Sequence, residues 1–152
     1  MPLVTGPRVD QINLVIADID AAVRFLAELG VDVPGTTPEW EEWNPHHRSL
    51  PAAAESTFGI DIDSGAFANW WGGLPPAFTG VVIGLRVDDR SDVDRLHDLA
   101  PSVGGRSLKA PYDAFWGARY AVIEGPGPIV VGVMSPIDPA HRGAPPDLAE
   151  LG

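Results

Sequence analysis

The chain has 152 residues, 45 % hydrophobic and 20 % charged, enough for one compact domain or two small modules sharing a core. Its 21 acidic against 10 basic side chains give a formal charge of −11, which repels nucleic acid and anionic bilayers and removes both as partners. The absence of cysteine excludes disulfides, thiolate metal sites and thiol nucleophiles. No apolar run approaches the roughly 20 residues of a membrane span. The opening MPLVTGPRVD lacks a basic region followed by an apolar one, so no signal peptide is expected and the cytoplasm is the expected location.

Residues 9–16 alternate. Ile12, Leu14 and Ile16 share one face and Gln11, Asn13 and Val15 the other, the period of a strand with one side on a core. Asp18 is placed to N-cap a helix whose apolar stripe is Ala22, Phe25, Leu26 and Leu29, and Gly30 suits its left-handed stop. The stretch 34–57, rich in Pro, Trp, Glu and Ala, is the least readable and has room for a strand covered by loop. FGIDID (58–63) alternates again before SGAFANWWGG.

A second strand–helix unit starts near Gly80. With Gln11 set on Val82, Leu14/Leu85, Asp18/Asp89 and Arg24/Arg95 are identical, and the core-facing positions match apolar on apolar, which indicates an internal repeat. Ser91 with Asp94 reads as a capping box, Val93, Leu96 and Leu99 as the buried stripe, and Gly104-Gly105 as the closing turn. ARYAVIEG (118–125) and PIVVGVM (128–134) read as an antiparallel pair joined by a Gly/Pro turn. The tail from Ser135 is Pro-rich and expected to lie as an extended strap. The organisation expected is an extension over 1–8, a first module over 9–76, a second over 77–138 and a tail over 139–152.

VDQINLVIADIDAAVRFLAELG and the closing VGVMSP resemble the vicinal-oxygen-chelate superfamily, which includes glyoxalase I, bleomycin-resistance proteins and extradiol dioxygenases. The turn before that last strand, GPGPI, departs from the superfamily's usual DPDGN. The resemblance implies an α+β fold, two βαβββ modules forming curled mixed sheets with a concave cleft. It also implies a homodimer that binds a small-molecule ligand. Metal-using members offer one ligand from the first and one from the last strand of each module. Those positions fall on Gln11, Asp61, Val82 and Gly132, of which only the first two carry donors. A tight transition-metal site needs at least about three protein ligands, so no metal and no cofactor are expected.

Other residues carry two readings each. His46 and His47, with Glu41 and Glu42 nearby, have the composition of a metal site, yet neighbours on a strand point opposite ways and a loop pair is more often solvated. His97 reads as a surface residue, and His141 shows no partner. The five tryptophans suit either a pocket for flat ligands or module and dimer interfaces, with Trp43 and Trp116 preferred for the pocket. Arg86 and Arg119 are candidates for the cup and, individually, for ordinary salt bridges. No dinucleotide fingerprint, Walker loop or nucleophile elbow appears, and Ser64 and Ser135 lack a local base.

The ligand-binding set expected is therefore Gln11, Asn13, Trp43, Asp61, Trp116 and Arg119, in a metal-free protein that sequesters a small organic molecule, as drug-resistance proteins do. The alternative is a lyase, isomerase or cyclase with Asp61 as general base and Tyr120 or Arg119 stabilising an enolate-like oxygen. A third class is an interaction protein whose cup is filled by its own side chains.

Overall fold

A computed structural model describes residues 6–52 and 58–151. Residues 1–5 of the expected extension, 53–57 of the least readable stretch and Gly152 lie outside the described residues. The chain divides into two compact units, Gln11–Val81 with Leu148–Gly152, and Met1–Asp10 with Val82–Asp147.

The first unit takes its strands from β1 (Arg8–Ile16, from Gln11 onward), β2 (His47–Ser49) and β3 (Gly59–Ser64), in the order β2-β3-β1. β1 and β3 run parallel with Asn13 opposite Asp61, and β2 and β3 run antiparallel with His47 opposite Asp63. Helix α1 (Ile19–Glu28) begins where expected: Asp18 Oδ1 accepts the Ala21 amide at 3.0 Å, and Gly30 follows the helix at φ +90°. Its burying face is not the expected stripe. Ile19 is buried and Ala22, Val23 and Leu26 are half-buried, whereas Phe25 and Leu29 are 64 % and 65 % exposed. The buried line follows helical spacing from Ile19, and Phe25 is turned about 100° away from its neighbour Leu26.

A short helix the sequence reading did not assign, α2 (Gly65–Gly72), follows β3 directly. Ser64 Oγ caps it by accepting the Phe67 amide at 3.1 Å, and Gly73 ends it at φ +66°. Trp43, Phe67, Trp71 and Leu74 pack into this unit's core with Val15, Ile62 and Leu151. The tail is not an extended strap throughout: Pro139–His141 and Leu148–Leu151 form 3₁₀ turns, the second packed on α2. Apolar Leu151 supplies the reason, being buried to 7 % exposure.

The second unit contains β4 (Gly80–Arg86, from Val82 onward), α3 (Arg90–Leu99), β5 (Arg106–Asp113), β6 (Arg119–Gly125) and β7 (Ile129–Met134), in the sheet order β4-β7-β6-β5. β4 and β7 are parallel; β5, β6 and β7 are antiparallel. One face of the sheet meets α3 through Val87, Val93, Ala121 and Val133, with Leu96, Ile123 and Val131 packed around them. Leu99, expected in that stripe, is 48 % exposed because the helix ends at it.

The capping residue of α3 is Asp89, whose amide donates to Asp92 Oδ2 at 3.3 Å, and not Ser91 with Asp94. Asp94 is engaged elsewhere, and the cap lies two residues earlier than the Ser-x-x-Asp pattern implied. Asp18 and Asp89, matched in the internal repeat, thus cap corresponding helices. The strand registers repeat too, since Asn13 opposes Asp61 in one unit and Gly84 opposes Gly132 in the other. The fold is α+β with mixed sheets, and the second unit is a complete βαβββ module. Among the described residues the first shows βαββ followed by α2.

Candidate functional site

Side-chain alternation along β1 and β3 puts Gln11, Asn13, Asp61 and Asp63 on one face of the first unit. The parallel register brings them into contact. Gln11 Nε2 donates to Asn13 Oδ1 and to Asp61 Oδ2, both at 3.0 Å, and Asn13 Nδ2 donates to Asp63 Oδ2 at 2.7 Å. β2 adds His47, whose Nδ1 lies 2.6 Å from Asp63 Oδ1, and Ser49, which hydrogen-bonds to Asp61. Asp63 is sealed from solvent, and a third of the His47 side chain is exposed.

Burial in this face raises the Asp61 carboxyl above the ordinary range, with Asp63 adding to the effect and His47 and Ser49 opposing it. Burial also works against protonation of His47. The hydrogen bond to Asp63 and the charges of Asp63 and Asp61 outweigh it, so the imidazole titrates above its ordinary value. The face therefore presents mostly acceptors: both Gln11 amide hydrogens are engaged, which leaves Gln11 Oε1 and carboxylate oxygen to meet a ligand.

The remaining expected residues lie elsewhere. Trp43 is buried to 8 % exposure, edge-on to Phe67 at 5.1 Å and to His46 at 6.0 Å; it packs behind the face. Phe67 also meets the His47 ring at 6.0 Å and stacks on Trp70 at 6.1 Å, so an aromatic wall flanks the histidine. His46 and His47 do not act together, since His46 Nδ1 is 2.9 Å from Ser64 Oγ. Desolvation lowers the His46 pKa and favours its neutral form.

Trp116, Arg119 and Tyr120 belong to the second unit. Arg119 was expected to bind ligand, but it forms a bidentate pair with Asp94 of α3 at 2.7 and 2.8 Å and reaches Asp113 at 3.1 Å. Strand alternation sends it to the helix side and Tyr120 to the opposite one. Arg86, the other arginine weighed for the cup, is ion-paired with Asp10 at 3.1 Å. His141 has a partner after all, Asp138 at 3.7 Å.

Tyr120, Tyr112 and Trp116 interlock edge-on, with centroids 5.6 to 6.5 Å apart, and Trp116 Nε1 donates to Met134 Sδ at 3.3 Å. Burial pushes the Tyr112 phenol well above its ordinary value. A Cβ on residue 132 would clash with the Tyr120 hydroxyl and lie 2.8 Å from its Cζ, so any larger residue there requires Tyr120 to move.

That contact bears on metal binding. In the second unit the last-strand ligand position is covered by Tyr120, and the first-strand position, Val82, is a fully buried hydrocarbon. At its two ligand positions the first unit offers one amide and one carboxylate, Gln11 and Asp61, already bonded to each other. Among the described residues no group of three or more His, Cys, Asp or Glu side chains is placed to hold an ion. This donor set does not fit the transition-metal sites of the superfamily.

The glyoxalase/bleomycin resistance protein/dioxygenase superfamily model matches residues 8–133. The chain belongs to that superfamily. Among solved structures, it is similar to a Mn(II)-bound glyoxalase from Novosphingobium aromaticivorans, with TM-score 0.57 and 20 % identity over 96 % of this chain and 43 % of that one. A superfamily member from Vibrio splendidus 12B01 gives TM-score 0.54 and 16 % identity over 86 % and 99 % of the two chains. Methylmalonyl-CoA epimerase from Mycobacterium tuberculosis gives TM-score 0.54 and 15 % identity over 91 % and 94 %. At these identities the likeness is one of fold. No curated protein sequence matches the chain. No helix among the described residues is long and apolar enough to cross a membrane.

The sequence reading missed Ser49 and Asp63, and weighed His47 only as a metal ligand beside His46. For Asp63 the signal was available: IDID places the second aspartate on the same face as Asp61. For His47 and Ser49 none was, because their role depends on β2 pairing with β3 in one particular register.

Proposed function

We propose that this chain is a superfamily member that works without a bound metal, taking a small organic molecule on the face formed by Gln11, Asn13, Asp61, Asp63 and His47. The observation that carries the reading is the placement of Tyr120 against Gly132, which removes a metal-ligand position by packing. Gln11 and Asn13 orient the ligand, Asp61 supplies an acceptor and negative charge, and the Phe67–Trp70 wall supplies apolar contact. Sequestration, as in drug resistance, needs no more than this. The homodimer belongs to the same proposal, supported by the exposed Phe25 and Leu29 of α1, apolar surface of the kind an interface covers.

The test is metal content by plasma mass spectrometry on untagged protein purified without chelator, then tryptophan-fluorescence titration with a panel of small organic molecules. The expected result is under about a tenth of an equivalent of transition metal, with saturable quenching that Gln11→Ala weakens. A near-stoichiometric metal refutes the reading.

A second reading, a proton-transferring lyase, isomerase or cyclase, is favoured by the raised pKa of Asp61, which brings a carboxylate closer to general-base strength. Here Asp61→Asn abolishes turnover and spares binding; under sequestration it reduces affinity, and there is no turnover to lose. Arg119 takes no part in either reading, being held in its ion pairs.

A further inference from the structure

β3 ends on Ser64, α2 begins on the next residue, and His46 reaches the serine across the sheet edge. Ser64 Oγ accepts the Phe67 amide at 3.1 Å and lies 2.9 Å from His46 Nδ1. With His46 as its Nε2–H tautomer, Nδ1 accepts the serine proton and one lone pair of Oγ stays unengaged. The ring is held from the side by Trp43 at 6.0 Å. Desolvation keeps His46 neutral, the form a base requires.

Ser64 also lines a pocket of about 340 Å³ at the C-terminal ends of β1 and β3, walled by Ile16, Ala66, Pro76, Ala77 and Phe78. The pocket includes Gly65 and Ala66, the first two residues of α2, whose amides no intrahelical carbonyl can reach. Gly65 has to be glycine, since its Cβ would lie 2.6 Å from the Pro76 carbonyl oxygen. Each part alone has an ordinary structural use; here the nucleophile and the amide donors line a cavity of ligand size, and the base reaches the nucleophile from behind that lining.

We infer that Ser64 and His46 form a nucleophile–base pair that takes small apolar carboxylic esters in this pocket. Ser64 Oγ adds to the ester carbonyl carbon while its proton passes to His46 Nδ1. The developing oxyanion meets the amides of Gly65 and Ala66. The adduct collapses with loss of the alkoxide, which leaves as the alcohol after taking the proton from His46, and Ser64 is acylated. Water then adds to the acyl carbon, gives its proton to His46, and the acid departs as that proton returns to Ser64 Oγ. This chemistry is independent of the face around Asp61, because alternation points Ser64 away from Asp63.

The experiment is labelling of the intact chain with an alkyl fluorophosphonate, read by mass spectrometry with peptide mapping. One adduct on Ser64 is expected in native protein and none in protein unfolded in urea. Ser64→Asn keeps a capping side chain without the nucleophile and should remain folded by circular dichroism yet unlabelled. His46→Gln should slow labelling by about 100-fold or more. No adduct on the native wild-type protein overturns the inference. So does an adduct elsewhere, or labelling that is equally fast in His46→Gln or in urea.

Discussion

Replacing Asp63 by alanine tests the hydrogen-bonded face directly, because the contacts of Asn13 and His47 converge on that buried carboxylate. The change removes the acceptor of Asn13 Nδ2 at 2.7 Å and the partner of His47 Nδ1 at 2.6 Å, in a place with no solvent to replace them. Hydrogen bonds to a charged group contribute about 1.5–3 kcal/mol each, and breaking a buried pair by deleting one partner costs about 3–5 kcal/mol. The exposed third of His47 lets water recover part of its loss, so about 3 kcal/mol is expected. With a urea m-value near ~2 kcal/mol/M, the denaturation midpoint falls by roughly 1.5 M. His47→Gln alone should cost about 1–2 kcal/mol, and the double variant should cost less than the sum of the two by about 1–2 kcal/mol. Chemical denaturation followed by tryptophan fluorescence measures all three. A midpoint shift under about 0.3 M for Asp63→Ala, or strict additivity in the cycle, refutes the network as the organiser of this unit.

Three further outcomes follow from the same geometry. The His47 pKa is raised on folding, so its charged form stabilises the protein below its unfolded value of 6.5, and that contribution disappears as pH climbs through the higher folded value; the stability gap between wild type and His47→Gln should therefore be wider at pH 5.5 than at pH 9, and a gap that grows with pH contradicts this. Asp61 has the opposite sign: a carboxyl raised by burial is destabilising once ionised, so Asp61→Asn, which still accepts from Gln11, should leave thermal stability at pH 7 unchanged or improved, and a clear drop in Tm counts against it. Arg119→Met breaks pairs whose acidic partners are 42 % and 65 % exposed, so screening limits the loss to about 1 kcal/mol or less; ligand quenching of tryptophan fluorescence should be unaffected, and a loss of affinity would return Arg119 to the site.

Much of the fold was legible because it depends on local pattern. The strands at 9–16 and 58–63, the Asp18 cap and the Gly30 stop are each determined by a few neighbouring residues, and each appears in the structure, although the residue β1 buries is Val15, on the face of Gln11 and Asn13, and not Ile12, Leu14 or Ile16. The repeat was legible for a related reason, since it preserves the positions that set a strand register and a helix cap. What failed depended on long-range choices. The α1 stripe included Phe25 and Leu29 because composition cannot say which of several apolar residues finds a partner. The α3 cap went to Asp89 because two aspartate patterns competed and tertiary contact with Arg119 claimed Asp94.

The site divides along the same line. Gln11 and Asp61 were named because the superfamily resemblance puts ligand positions there, and Asn13 because i, i+2 spacing within a strand sets it on the face of Gln11; the parallel pairing of β1 with β3, which the sequence did not show, brings them together. The part His47 plays was not legible, because its significance is a pairing with Asp63 sixteen residues away, across a stretch with little periodic signal. Ser64 shows the same limit. A serine before a Gly-Ala-Phe run reads as a cap, and only the antiparallel β2–β3 pairing reveals that the residue before β2 is a histidine within reach of it. Adjacent histidines thus serve two different partners, one on each side of a three-residue strand. The same alternation that argued against their forming one metal site delivers one imidazole to a buried carboxylate and the other to a serine beside a pocket.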